Sequence, residues 1–306
     1  MNIVEVNNIS KRFDKLQAVD DISFSIEKGK VYGMLGPNGA GKTTTIRMIM
    51  NIIIPDSGSV SILGETDYRK ISHRIGYLPE ERGIYRKMKL NDVLLFLADL
   101  KEMKKKTAQV EIDMWLEKLG LAEWKKKKVE ELSKGMQQKL QFIATVMPQP
   151  ELLILDEPFL GLDPINTNLI KDIIMEEKKR GTTIIFSTHQ MESAERLCDE
   201  IMLINRGKKI LSGTVGEVKR QFGKKAIQLD YTGDNSFLNN SPFIADYNDF
   251  GNYVEIELLK DAIPHDFLES IVSKVKISRF EVMEPSLHDI FIKSVQGESK
   301  IGGKES

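Results

Sequence analysis

The stretch GPNGAGKTT runs through Gly36, Pro37, Asn38, Gly39, Ala40, Gly41, Lys42, Thr43 and Thr44 and fits the pattern G-x4-G-K-[ST]. Small residues there let consecutive backbone N–H groups, from Asn38 to Thr44, wrap a β-phosphate. The helix start that follows adds a favourable partial charge. Lys42 is placed to reach the β- and γ-phosphates, and the Thr43 hydroxyl to ligate Mg²⁺. Further along, LLILDEP, from Leu152 to Pro158, is an apolar run that ends in two adjacent carboxylates. Asp156 can hold Mg²⁺ directly or through water. Glu157, on the opposite face, can orient and polarise an attacking water.

These groups need a strand before the phosphate loop, a helix after it, and a parallel sheet whose strand ends meet at one edge. The sequence supplies them. MNIVEVNNI and AVDDISFSI alternate as strands, KVYGML is a compact apolar strand, and KTTTIRMIMNII reads as a helix. Pro55-Asp56-Ser57-Gly58 is a turn before the strand GSVSILG. Residues 85–147 are helical in pattern, with NDVLLFLADLKEM, QVEIDMWLEKLG and MQQKLQFIATVM, and Gly120 suits a helix C-terminus. Then ELLILDEP, TTIIFSTH and EIMLINRGKKILSG alternate with the helices INTNLIKDIIMEEKKRG and QMESAERLCDE. The last strand pair turns at Asn205-Arg206-Gly207. Strands alternating with helices predict an α/β fold with a mainly parallel sheet. The character shifts near Gln221. Residues 224–295 read strand, strand, helix, strand, helix, a small α+β domain, and residues 296–306 are expected to be disordered.

Composition narrows the function classes. The chain has 306 residues, 44 Lys+Arg against 45 Asp+Glu, and one cysteine. Near-zero net charge argues against nucleic-acid binding by bulk charge. A single Cys198 excludes an internal disulfide framework and suits a reducing compartment. The start MNIVEVNNISKRF lacks the apolar core of a signal peptide, and no apolar run is long enough to span a bilayer. A role at a membrane would therefore run through a partner.

A second helix start shaped for phosphate lies in VEELSKGMQQKLQFIATV, where Ser133, Lys134 and Gly135 open an amphipathic run. With it the sequence, over residues 1–221, resembles the ATPase subunits of ABC transporters, a P-loop NTPase family. LSKGM (Leu132 to Met136) matches the family signature LSGGQ, GLD (Gly161 to Asp163) the loop after the acidic strand, and STH (Ser187 to His189) the switch histidine. Phe13 lies where the family stacks an aromatic on adenine. The resemblance implies an N-terminal antiparallel β subdomain, a helical subdomain at about 85–147, and ATP with Mg²⁺ as cofactors. It implies Lys42, Glu157 and His189 as catalytic groups, with His189 contacting the γ-phosphate and Asp163 supporting a dimer interface. Two such ATPase subunits, alike or different, meet head to tail so that Ser133 and Gly135 of one cap the phosphate loop of the other. ATP binding and hydrolysis then drive export through separate transmembrane permease subunits, from the cytoplasmic face of the cell membrane.

Two departures stand out. Lys134 and Met136 replace a glycine and a glutamine of the signature. Lys134 either carries its ammonium to solvent or adds positive charge at the γ-phosphate. Glu80, in YLPEERGIY, replaces a glutamine that lends oxygen to Mg²⁺ or its water. As a metal ligand beside Thr43 and Asp156, Glu80 is expected to make nucleotide binding strongly metal-dependent. Two like unit charges about 4 Å apart repel by roughly 4 kcal/mol at an effective dielectric of 20. The C-terminal domain resembles the accessory domain of a bacterial branch with sodium- and drug-export ATPases. The competing class is a soluble ABC-type ATPase with a regulatory or ribosome-associated role, but those usually carry two ATPase domains. A chromosome or repair ATPase needs a long coiled coil between phosphate loop and signature. A P-loop kinase needs no signature, and a non-hydrolysing regulator would show no turnover. His73, His265 and His288 are read as structural or exposed, Trp115 and Trp124 as packing the helical subdomain, and Cys198 as core. Lys104–Lys106 and Lys125–Lys128 are read as solvated helix surface.

Overall fold

The computed structural model describes residues 1–81, 83–222, 226–259, 261–283, 285–292 and 294. The chain divides into two compact units, Met1–Thr214 and Val215 onward. The division falls ahead of the boundary that the sequence places at Gln221. The reason is local: Val215 opens a short helix whose chain belongs with the second unit. The tail expected to be disordered, residues 296–306, lies outside the described residues.

In the first unit, β1 (Asn2–Phe13), β2 (Leu16–Glu27), β3 (Val31–Leu35), α1 (Lys42–Ile49), β4 (Ser57–Ile62) and β5 (Ile75–Leu78) come first. The helical part holds α2 (Leu90–Asp99), α3 (Lys105–Lys118) and α4 (Lys134–Val146). Next come β6 (Leu152–Asp156), α5 (Pro164–Lys179), β7 (Thr183–Thr188), α6 (Met191–Leu197), β8 (Glu200–Asn205) and β9 (Lys208–Thr214). An antiparallel sheet has the order β2-β1-β4, and a six-stranded sheet the order β5-β6-β7-β3-β8-β9. All neighbours in the larger sheet run parallel except β8 and β9, joined by a tight hairpin. The turn residues Arg206 and Gly207 both have positive φ, 48° and 79°, as a two-residue turn matched to strand twist requires.

Every residue of β3, β6 and β7 is buried. Strands covered on both faces read as continuous apolar runs, which is why VYGML and LLILD lack alternation. The main core fills the space between the two sheets. Val4, Val6 and Ile9 of β1 and Ile22 of β2 meet Met34, Ile154, Ile185 and Met202, with Ile46 and Ile49 of α1 among them. Helices α2, α3 and α4 pack on one another, and α4 packs on β5. Trp115 is buried in that subdomain. Helix α3 starts ahead of the predicted Gln109, because the exposed lysines Lys105 and Lys106 form its first turn. Lys125–Lys128 are not helix surface: they link two short 3₁₀ turns, Ala122–Trp124 and Val129–Glu131, with Lys125 paired to Asp113.

The second unit comprises α7 (Val215–Phe222), β10 (Ala226–Thr232), α8 (Ser236–Asn240), β11 (Ile244–Asp249), β12 (Val254–Leu258), α9 (Pro264–Val272) and β13 (Lys276–Met283). Its strands form one antiparallel sheet, β11-β12-β10-β13. Ile227, Leu229, Val254 and Ile256 pack with Phe237 of α8 and Phe267 and Ile271 of α9. Strand β11 and helix α8 were not predicted. The edge strand IADYND is half polar, with Asp246, Asn248 and Asp249, and carries little apolar signal. Residues 287–292 are helical, inside the predicted SLHDIFIKSV. No helix among the described residues is long and apolar enough to cross a membrane.

The fit of β5 to α4 generates a test. A Cβ at Gly76 would lie 2.6 Å from the backbone oxygen of Thr145. Gly76→Ala therefore costs about 1–3 kcal/mol of stability in the first unit, measurable as a lowered urea midpoint for that unit. An unchanged midpoint would show that β5 and α4 separate freely.

Candidate functional site

The parallel register brings the chemistry to one edge. Asp156, the last residue of β6, pairs with Ser187 of β7, and Leu35, the last residue of β3, pairs with Thr188. The loop from Gly36 to Thr44 leaves β3 at the same edge and leads into α1. Two glycines fix its path. A Cβ at Gly36 would lie 2.2 Å from Ile204 O, and one at Gly41, which has φ 109° and precedes the first turn of α1, 2.5 Å from Ala18 O. The β8–β9 hairpin braces the loop: Gly207 N donates to Ala40 O at 2.9 Å, and Asp20 N donates to Gly207 O at 2.8 Å.

Lys42 is buried. Its Nζ donates to Gly36 O at 2.8 Å and Pro37 O at 3.2 Å and lies 3.5 Å from Glu157 Oε1. Glu157 has φ 49°, a left-handed conformation that a residue with a Cβ adopts only at a cost. Its N–H is held by Ser187, through both the backbone oxygen and Oγ at 3.2 Å. The result aims a buried carboxylate between two cationic or proton-bearing side chains. His189 Nδ1 lies 3.1 Å from both Glu157 oxygens. With the Nδ1 proton donated to that carboxylate, Nε2 is left for another partner.

Asp156 is fully buried. Its Oδ1 accepts from the Ser187 hydroxyl, and its Oδ2 is buried with no hydrogen-bond partner. Burial raises its pKa above the ordinary carboxylate value, the Ser187 hydrogen bond and the nearby Thr43 hydroxyl counter that, and the charges of Glu80 and Glu157 add to the rise. Thr43 Oγ1 donates to Glu80 Oε2 at 3.5 Å. Glu80 is exposed. An orphaned buried carboxylate oxygen with a hydroxyl and a second carboxylate nearby suits a hard divalent cation, which takes oxygen ligands and keeps several waters. These residues therefore fit Mg²⁺.

Phe13, Leu16, Gln17, Ala18, residues 38–44, Glu80, Glu157 and Arg206 line one cavity of about 650 Å³, a size suited to a small-molecule ligand. Phe13, 43% exposed, presents an aromatic surface at its rim. Ser133, Gly135 and Asp163 are not part of this cavity. Ser133 caps α4, its hydroxyl accepting from Met136 N at 3.2 Å. Asp163 caps α5, accepting from Asn166 N at 2.9 Å, and that bond holds its pKa below the usual range. The two helix starts touch: a Cβ at Gly135 would lie 3.5 Å from Gly161 O, and Lys139 Nζ donates to Asn166 Oδ1 at 3.1 Å.

Sequence reasoning missed the part of Ser187, which serves both carboxylates, and the place of Arg206 at the cavity. A buried serine in an otherwise apolar strand was the available signal for the first. Arg206 carried none beyond its turn position. Cys198 ends α6 with its thiol pushed up by burial. His73 and His288 are exposed, as is His265, which lies 3.2 Å from Glu269.

The buried Asp156 charge has a measurable cost. Its folded-state pKa is raised, so the penalty is absent below the unfolded carboxylate value and present above the folded one. Asp156→Asn should stabilise the metal-free protein by about 1 kcal/mol at pH 7, and the gain should vanish in acid. Urea unfolding at the two pH values checks this; a variant less stable than wild type at pH 7 would refute it.

The family model described as "ABC transporter" matches residues 19–160, and one described as "ATP-binding protein DrrA1-3-like, C-terminal domain" matches residues 213–295. The ABC transporter ATP-binding protein YhaQ of Bacillus subtilis (strain 168) is 43% identical, over 96% of this chain and 98% of that protein. The linearmycin resistance ATP-binding protein LnrL of the same organism is 35% identical, over 95% and 97%. A solved structure of the ATP binding subunit of an ABC transporter superposes with a TM-score of 0.68 at 30% identity, covering 72% of this chain and 93% of that one. The phosphate loop, the acidic strand end and these likenesses converge, and the chain belongs to the ATP-hydrolysing, ATP-binding subunits of ABC transporters.

Proposed function

We propose that ATP occupies the cavity at the phosphate loop, with its adenine on Phe13 and its β- and γ-phosphates on the loop N–H groups and Lys42. Thr43, Asp156 and Glu80 are the residues that hold Mg²⁺. When bound, the metal neutralises charge developing on the phosphate oxygens. Glu157 orients and polarises the attacking water, and its contacts with Lys42 and His189 fix the direction of its carboxylate. His189 offers Nε2 toward the γ-phosphate.

The observation that carries the dimeric mechanism is the split between two half-sites. Glu157, Lys42 and Thr43 line the cavity, whereas Ser133, Gly135 and Asp163 lie exposed or half-exposed at helix starts outside it. A second chain placed head to tail supplies them across the nucleotide. ATP then joins two ATPase subunits, and hydrolysis releases them.

ABC ATP-binding subunits work with transmembrane permease components. A groove of about 380 Å³ between the segment after β5 and the helical subdomain, lined by Met50, Ile52, Pro79, Ile84 and Leu97, is the proposed seat for such a permease. Exposed Ile52, Ile54, Phe96 and Leu100 lie on or near it in sequence. The subunit would then sit at the cytoplasmic face of the membrane and power export. The resistance function in the name of one relative supports that direction.

Glu157→Gln should keep ATP binding, lower turnover by a factor of about 10² or more, and accumulate an ATP-bound dimer. ATP binding, phosphate release and size-exclusion chromatography with ATP and Mg²⁺ measure the three. Turnover at the wild-type rate would remove Glu157 from its role. Co-purification of a multi-span membrane protein tests the partner, and association with ribosomes instead would favour a soluble role.

A further inference from the structure

Two charges near the half-sites are unfavourably placed within one metal-free chain. Glu80 places an exposed carboxylate on the cavity wall, 3.5 Å from the Thr43 hydroxyl. This charge lies where the phosphates already concentrate negative charge. Lys134 is the first residue of the 13-residue helix α4, next to the capping Ser133, with no acidic residue in that first turn. A cation is unfavourable at the positive end of a helix. Lys134 is exposed and has no hydrogen-bond or ion-pair partner among the described residues. Each residue is thus electrostatically misplaced in its own chain, and the two misplacements have opposite signs.

We propose that Lys134 of one copy faces Glu80 of a second copy across the bound nucleotide, and that this pair makes the chain select another copy of itself as its partner ATPase. The proposal rests on the head-to-tail dimer of the preceding section. In that arrangement α4 of one chain opens onto the cavity of the other, which brings an unpartnered ammonium to a carboxylate that, even with Mg²⁺ shared between it and the nucleotide, adds to the negative charge of the phosphates. Two-fold symmetry repeats the pair at both sites. A different ATPase subunit with a neutral residue at the Lys134 position would lack this second countercharge for Glu80, so the pair favours self-association over that partner.

The test is a double-mutant cycle on ATP-driven dimerisation of the full chain carrying Glu157→Gln, read by analytical ultracentrifugation with ATP and Mg²⁺. An exposed ion pair is worth about threefold and the dimer holds two whose factors multiply, so Lys134→Gly should raise the dimer dissociation constant about tenfold. In the Glu80→Gln background the same change should matter less than about twofold, because the partner charge is gone. Lys134→Arg keeps the charge and should dimerise as the parent does. Raising salt should shrink the tenfold effect. An equal effect of Lys134→Gly in both backgrounds overturns the pairing. ATP binding to the monomer is measured alongside. Nucleotide binding without any dimer of the parent chain overturns the head-to-tail arrangement, and the pairing with it.

Discussion

The site depends on one hydroxyl. Ser187 donates to Asp156, and its oxygen accepts from the backbone N–H of Glu157. A single residue of β7 therefore contacts both acidic residues at the end of β6, Asp156 through its hydroxyl and the Glu157 N–H through its hydroxyl and its backbone oxygen. It leaves one oxygen of Asp156 without a partner and holds Glu157 in a conformation the residue would otherwise avoid. Both consequences are costs to the folded chain, of the kind that collects at functional sites. Sheet order makes this possible, because β7 lies between β6 and β3.

The same logic runs outward. The phosphate loop keeps its shape because Gly36 and Gly41 let it press against the backbone of β8 and β2, and because the turn at Gly207 closes over Ala40. On the other side, the segment after β5 is tied to two helices. Arg47 of α1 lies 3.0 Å from Glu81, and Gln141 of α4 donates to the Glu81 backbone oxygen at 3.4 Å. The segment that carries Glu80 is thus connected both to the helix behind the phosphate loop and to the helix that begins at Ser133.

Much of this was legible in the sequence because the elements that carry it are short-range patterns. Continuous apolar runs gave β3, β6 and β7, and spaced glycines gave the loop between β3 and α1. The hairpin at Arg206 announced itself by the glycine after it. Strand β11 did not, since an edge strand with Asp246, Asn248 and Asp249 among six residues has no buried stripe to read. The division at Thr214 lies ahead of the expected Gln221 because a short helix has the same local signature whichever unit it belongs to. The role of Ser187 depends on strand order, which no local pattern encodes: β6 and β7 are adjacent only through a crossover that includes α5. The split between Ser133 and the cavity of its own chain was likewise a matter of tertiary placement, although the family resemblance anticipated it.

Lys42 is already engaged by its own loop, bonded to Gly36 O and Pro37 O and lying beside Glu157. A phosphate that draws this ammonium toward itself does not add a contact to an idle group. It exchanges one set of oxygen partners for another, and the observed affinity is the difference between the two. The loop's own carbonyls therefore act as a built-in competitor for the lysine. On the proposed binding mode, such a competitor gives the ammonium a place to return to as product leaves, so a subunit that must cycle repeatedly binds its nucleotide less tightly than the phosphate contacts alone would allow.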